Sequence, residues 1–230
     1  MKTKIPMVFD VYGTLLDVDA AARRVAAEPG MEQLAECWPK LAAAWRQRQL
    51  SLSWLRSMMG QYCDFWTITV DALDASLAEL GLDDPNLRWR LLSLYTKLDC
   101  YPEVTAVLAE LAETGMPLVV LSNGNPQMLE TALHAAAIDR FFDAVLSADE
   151  CGVYKPDAAV YSLVTERYEC EPAAAVFFSA NDWDIAGAGS FGFRTVWVNR
   201  SGGIAIPLPT PPAVVINTLA EAPELLAKSG

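Results

Sequence analysis

The stretch Ile5-Pro6-Met7-Val8-Phe9-Asp10-Val11-Tyr12-Gly13-Thr14-Leu15-Leu16-Asp17 decides the fold of this 230-residue chain. Four of the five residues from Ile5 to Phe9 are apolar, as in a strand buried on both faces of a parallel sheet. The run stops at a carboxylate, and Gly13 lets the backbone turn sharply just beyond it. In an open α/β sheet, groups at the carboxyl end of a strand face the ligand crevice. Asp10 is therefore placed where a nucleophile or a metal ligand would stand. A plainer reading makes it a cap of the following turn, where Asp is common; the rest of the chain has to decide.

Outward from this stretch, Val18 to Lys97 contains no convincing strand. Helices are predicted over Val18 to Glu28, over Met31 to Gln49 with a break or kink at Pro39, over Leu52 to Trp66, and over Thr69 to Leu80 with Gly81 behind it. A further helix runs from Pro85 to about Lys97 with Asp84 as its N-cap. From Tyr101 onward helix and strand alternate. The helices are Pro102 to Thr114, Gln127 to Ala137, Asp157 to Arg167, Ile185 to Phe191 and Ala220 to Lys228. The strands are Met116 to Leu121, Ala144 to Ser147, Ala175 to Phe178, Thr195 to Val198 and Val214 to Ile216. Gly and Pro residues make Asn199 to Pro212 an irregular surface excursion. Alternation of this kind implies a parallel sheet with right-handed crossovers. The expected architecture is α/β: a Rossmann-like core from residues 1–17 and 98–230, with residues 18–97 inserted as a helical-bundle cap.

Hydrophobic residues make up 53% of the chain, enough for a sizeable core, and no apolar run reaches membrane-spanning length. Met1-Lys2-Thr3-Lys4 leads straight into the first strand without the apolar core of a signal peptide, so a cytoplasmic location is expected. The net charge of −12 argues against nucleic acid or an anionic membrane as a partner, and any anion site has to be built locally. Cys37, Cys63, Cys100, Cys151 and Cys170 are scattered with no Cys-x-x-Cys pair, which fits reduced thiols and no zinc site. His134 is the sole histidine and falls in a predicted helix, so nucleophile–histidine catalysis would rest on it alone; a surface or packing role suits it better.

Each of the first four core strands ends in a polar cluster. The first gives Asp10 and Thr14, and the second gives Ser122 and Asn123. Lys155 follows the third, and Ser179, Asn181 and Asp184 follow the fourth. Parallel strands put their carboxyl ends on one rim, so these groups should converge. Singly they are ordinary loop residues; jointly they are specific.

Asp10-Val11-Tyr12-Gly13-Thr14-Leu15, Ser122-Asn123-Gly124, Lys155-Pro156 and the Ser179-to-Asp184 cluster resemble the four motifs of the haloacid dehalogenase superfamily, and the helical insert resembles its cap. Phosphatases of that superfamily carry a second Asp two residues after the first, where this chain has Tyr12, and an acidic pair in the fourth motif that helps to hold Mg²⁺. Magnesium needs several oxygen ligands, which Asp182 and Asp184 can supply in principle. Trp45-Arg46-Gln47-Arg48-Gln49-Leu50, Trp54-Leu55-Arg56-Ser57-Met58-Met59, Ser122 to Gln127, Val153 to Asp157 with Tyr161, and Asn181 to Asp184 are similar to the (S)-2-haloacid dehalogenases in particular. Asp182 departs from that pattern, which has a small residue there, and this bears on substrate preference.

The resemblance implies hydrolytic dehalogenation of short (S)-2-haloalkanoic acids to (R)-2-hydroxy acids through an ester on Asp10, with no metal or organic cofactor. Lys155 would keep Asp10 ionised, and Thr14 would bond one of its oxygens. Arg46 would meet the leaving halide. Ser122 and the amides of Val11 and Tyr12 would hold the substrate carboxylate, while Asn123 orients Lys155 or Asp10. Ser179, Asn181 and Asp184 would place the hydrolytic water or position Lys155. Leu50, Phe65 and Trp183 would wall the substrate, and Tyr161 would stand behind the site. Trp38, Trp45 and Trp54 offer a face for a homodimer. The alternatives are a Mg²⁺-dependent phosphatase using the same Asp10, hydrolysis of another C–X bond such as one in a small cyclic amino acid, and a binding domain without catalysis.

Overall fold

β1 (Met7–Phe9) is the central strand of a six-stranded sheet, and all of its side chains are buried. The computed structural model describes residues 5–82 and 84–227. After β1 come α1 (Ala20–Ala26), α2 (Glu32–Met59), α3 (Phe65–Leu80) and α4 (Pro85–Tyr95). The chain then runs through α5 (Val104–Glu113), β2 (Leu118–Ser122), α6 (Pro126–Ala135), β3 (Ala144–Ser147), α7 (Ala158–Tyr168), β4 (Val176–Ser179), α8 (Asp182–Phe191), β5 (Arg194–Val198), β6 (Val214–Ile216) and α9 (Ala222–Ala227).

The strand order is β3-β2-β1-β4-β5-β6, and every pairing is parallel. Successive strands proceed outward on one side of β1 and then on the other, so the chain reverses direction between β1 and β4. That reversal opens a crevice at the carboxyl edge of the sheet, where ligands of open α/β folds bind. Phe9 is in register with Val120 on one side and Phe178 on the other. Asp10, the next residue, therefore emerges level with Ser179.

α1 to α4 lie over this edge. The chain leaves and returns through an antiparallel bridge of Leu16 with Cys100, flanked by Asp17 N–H to Asp99 O (2.9 Å) and Tyr101 N–H to Leu15 O (3.1 Å). Inside the helical layer, Trp45 donates its indole N–H to Thr69 O (2.8 Å), and Gln49 donates to Thr69 Oγ1 (3.0 Å) and Tyr95 Oη (3.1 Å). These buried bonds join α2, α3 and α4 with their polar atoms satisfied.

The helix boundaries correct several expectations. α2 is one helix of 28 residues that runs through Pro39 and through the predicted gap at Leu50-Ser51. No Gly, Pro or Asn stands between Lys40 and Met59, and the helix ends only where Gly60 adopts φ 63°. α3 starts at Phe65 because the Asp64 carboxylate accepts from Trp66 N–H (2.9 Å) and Thr67 N–H (3.2 Å). The predicted helix over Leu52 to Trp66 is thus divided by the turn at 60–64. α8 begins at Asp182 rather than Ile185. Trp45 is buried within the helical layer, so it offers no face to a second copy. Met1 to Lys4 and Lys228, the predicted end of the last helix, lie outside the described residues. Among the described residues, no helix is long and apolar enough to cross a membrane.

Candidate active site

The turn after β1 gives Asp10 its orientation. Gly13 takes φ 88°, a region that costs a side chain strain, and folds the chain so that Thr14, Leu15 and Leu16 N–H all return to Val11 O. Thr14 Oγ1 then donates to Asp10 Oδ2 (2.9 Å) and accepts from Ala180 N–H (2.8 Å). Asp10 Oδ2 also accepts from Asn181 Nδ2 (2.8 Å) and Ser179 Oγ (3.5 Å). Among the described residues, the N–H groups of Val11 and Tyr12 donate no hydrogen bond, although both residues are buried.

The other oxygen, Oδ1, faces Lys155. The Lys155 ammonium is fully buried and lies 3.3 Å from Asp10 Oδ1 and 2.9 Å from Asp184 Oδ2. Asn123 Oδ1 holds the Lys155 main chain through its N–H (3.0 Å), and the peptide from Lys155 to Pro156 is cis. Tyr161 donates to Asp184 Oδ1 (2.7 Å). Tyr161 thus stands behind Asp184 and supports it rather than lining a substrate space. Burial raises the Asp184 carboxyl to about 6; Asp10 pushes the same way, and Lys155 and Tyr161 oppose it. Packing here is tight: a Cβ on Gly187 would lie 2.5 Å from Pro156 Cβ and 2.6 Å from Tyr161 Oη.

Arg46 comes from α2 and reaches across to the core, its Nη2 donating to Tyr12 O (3.3 Å) and Asn181 Oδ1 (3.4 Å). Asn181 therefore connects Arg46 to Asp10 through one amide. The other arginines of α2 are engaged elsewhere: Arg48 with Ser76 and Glu79, Arg56 with Gln61 O and Asp71. Arg46, Leu50 and Trp183 share a chamber of about 580 Å³ with Trp38, Trp54 and Ile206, and Asp19 and Asp182 flank it. Phe65 lies deeper, against Tyr12 and Tyr154. Tyr12 stacks on Tyr95 with ring centroids 5.7 Å apart, and burial holds its phenol well above the ordinary range. Ser122 is fully buried at the end of β2, and its Oγ accepts from Gly124 N–H (3.2 Å).

The residues present do not form a magnesium site. Asp10 and Asp184 are bridged by the Lys155 ammonium, and the Asp182 carboxylate turns away to Trp183 N–H (2.8 Å) and Ile206 N–H (3.0 Å). Among the described residues, no group of three or more His, Cys, Asp or Glu lies together as ligands would.

Two residues near the site make contacts that the sequence does not announce. Arg200 donates to Thr14 O (2.8 Å) and Glu103 Oε1 (2.6 Å) and lies 3.8 Å over the Tyr101 ring. Tyr154 Oη donates to Cys63 O and its N–H donates to Ser57 Oγ (3.0 Å), joining the helical layer to the residue before Lys155. Arg200 lies outside the motifs, and Tyr154 falls inside the Val153-to-Asp157 stretch without an expected role, since each acts through partners brought near only by folding. His134, by contrast, is exposed on α6 and pairs with Asp139, away from Asp10.

A buried Asp–Lys–Asp row at the switch point of a parallel sheet, under a helical layer that supplies an arginine, is matched by a family profile for haloacid dehalogenase-like hydrolases over residues 7–192. The chain belongs to the haloacid dehalogenase-like hydrolases. Within that family it is 44% identical over 223 residues to (S)-2-haloacid dehalogenase 4A of Burkholderia cepacia, covering 96% of this chain and 94% of the relative. A solved dehalogenase with an intermediate complex superposes with a TM-score of 0.91 at 41% identity, over 98% of each chain. The L-2-haloacid dehalogenase of Xanthobacter autotrophicus with chloropropionic acid covalently bound superposes at 0.84 and 33% identity, over 99% of this chain and all of the other. As a haloacid dehalogenase-like hydrolase, the chain aligns over 96% of its length with an (S)-2-haloacid dehalogenase and over 98% with a solved dehalogenase.

Proposed function

We propose that this hydrolase converts short (S)-2-haloalkanoic acids to (R)-2-hydroxyalkanoic acids and halide. The observation that carries the reading is the unequal environment of the two Asp10 oxygens: among the described residues, Oδ2 accepts from three donors, Thr14, Asn181 and Ser179, whereas Oδ1 meets Lys155 alone, at 3.3 Å. Asp10 Oδ1 attacks C2 from the side opposite the halogen. The C–X bond breaks, the halide leaves with the electron pair toward Arg46, and an ester joins C2 to Asp10. The free amides of Val11 and Tyr12, with Ser122, receive the substrate carboxylate. Water then attacks the Asp10 carbonyl carbon, and the oxyanion forms on Oδ2 before three donors already in place. The acyl–oxygen bond breaks, one water proton goes to the product hydroxyl, and the other is taken up through Asp184. Asp10 is regenerated with one oxygen from water, and C2 is inverted once.

Lys155 sets one ammonium between the Asp10 and Asp184 carboxylates and fixes the Asp10 oxygen that attacks. Residues 18–97 act as a cap over a core of 1–17 and 98–230, and Leu50, Phe65 and Trp183 shape the apolar wall. The working unit is a homodimer, supported by the exposed Leu55, Met58 and Met59 near the end of α2. The free cysteines support a cytoplasmic setting. The test is incubation with (S)-2-chloropropionate in EDTA, measuring chloride and the lactate enantiomer. Chloride and (R)-lactate in equal amounts are expected. Absence of chloride, or its loss on chelation, would overturn the reading.

A further inference from the structure

The chamber outside Arg46 is larger than a two- or three-carbon acid needs. Its volume of about 580 Å³ falls within the roughly 300–1,000 Å³ of sites for drug-sized ligands. Its walls are α2, Trp183 and Ile206, the last from the irregular excursion between β5 and β6. That excursion has no regular structure from Gly202 to Leu208, and Ile204 is 97% exposed. Asp182 holds it against the site: one carboxylate oxygen accepts Trp183 N–H at the start of α8 and the other accepts Ile206 N–H at 3.0 Å. The same side chain thus touches two lining residues from different segments, Trp183 and Ile206.

We propose that Asp182 is a specificity-determining positioning residue. By pinning Ile206 it closes the chamber around the alkyl tail of 2-haloacids longer than propionate, and it does not touch the reacting atoms. This rests on the dehalogenase reading above. A tail enclosed on both sides gains affinity with each methylene, about fourfold per buried CH₂. A tail with Ile206 released gains less.

The experiment is a kinetic series with the (S)-2-chloro derivatives of propionic, butyric, pentanoic and hexanoic acids on the full chain and on Asp182→Ala and Asp182→Asn. For the full chain, kcat/KM is expected to rise from propionate to pentanoate by roughly threefold to fourfold per carbon. In Asp182→Ala that rise should at least halve, through KM, while kcat on 2-chloropropionate stays within twofold. Asp182→Asn keeps an acceptor for Ile206 N–H and should restore the rise. Amide exchange at Ile206 should speed up in the Ala variant and return toward normal in the Asn variant, a readout independent of turnover. Equal losses on short and long acids, or an unchanged chain-length profile in Asp182→Ala, would overturn the proposal. Absence of chloride release from every acid with the unaltered chain would instead overturn the dehalogenase reading, and this proposal with it.

Discussion

Lys155 Nζ lies closer to Asp184 than to Asp10, at 2.9 Å against 3.3 Å. The ammonium is therefore shared, with its shorter contact on the carboxylate that does not attack. Asp10 keeps an oxygen that is only loosely bonded, which suits a nucleophile.

The pH dependence follows from Asp184. Its carboxyl is raised to about 6 by burial, and as a base it works only when deprotonated. Activity is thus full above that value and falls as pH drops through it. A pH profile of kcat on saturating (S)-2-chloropropionate should show an acidic limb near pH 6, and Asp184→Asn should lack measurable turnover of the ester. Trapped ester in that variant, seen by intact mass, checks that the first step survives.

Removing the lysine charge should be costly to folding as well as to rate. Lys155→Met leaves Asp10 and Asp184 buried side by side without their cation. Breaking a buried ion pair in this way costs about 3–5 kcal/mol. The loss should be larger at pH 8 than at pH 5, because protonation of Asp184 relieves the repulsion at the lower pH. Urea unfolding midpoints of the variant and the parent at both pH values measure this.

Gly187→Ala tests the packing behind the site. The added methyl would sit 2.5 Å from Pro156 Cβ and 2.6 Å from Tyr161 Oη, and overpacking of this sort costs about 1–3 kcal/mol. Tyr161 must shift away from Asp184 to make room. A lower melting temperature together with a lower kcat is expected, with KM for the substrate little changed.

Arg46→Lys replaces a planar fork with a point charge. Arg46 reaches two acceptors, Tyr12 O and Asn181 Oδ1, and a lysine cannot span both while facing the halide. Loss of one hydrogen bond to a charged group is worth about 1.5–3 kcal/mol, so kcat/KM should fall by roughly 10- to 100-fold. Steady-state chloride release gives the value, and Arg48→Lys serves as the control on the same helix.

Much of this site can be read before folding is considered, for a geometric reason. Asp10, Lys155, Ser179 and Asp184 each follow a parallel strand, and strands of one direction share a rim, so their convergence follows from topology alone. Arg46 is different. It shares α2 with Arg48 and Arg56, and the choice among them depends on which side of the helix meets α3 and which meets the core. Helical periodicity gives no such orientation. The extent of α2 was hidden for a related reason: apolar spacing continues on both sides of Leu50, and only Gly60 supplies a stop. The contacts of Arg200 and Tyr154 are hidden in the sequence because their partners are about 90 to 190 residues away along the chain.

Asp19 and Asp182 flank the one arginine that faces the chamber, on a molecule whose net charge is −12. An acid approaching from solution meets repulsion until it is within a screening length of Arg46, about 8 Å at physiological ionic strength. The entrance therefore works as a valence filter. A singly charged haloacid exchanges modest repulsion for the arginine, whereas a doubly charged phosphate ester is opposed about twice as strongly before reaching it. Added salt weakens the barrier and should quicken capture of the acid, the reverse of what a positively charged funnel would give. Discrimination by ionic charge begins at the mouth of the protein, before any bond is tested at Asp10.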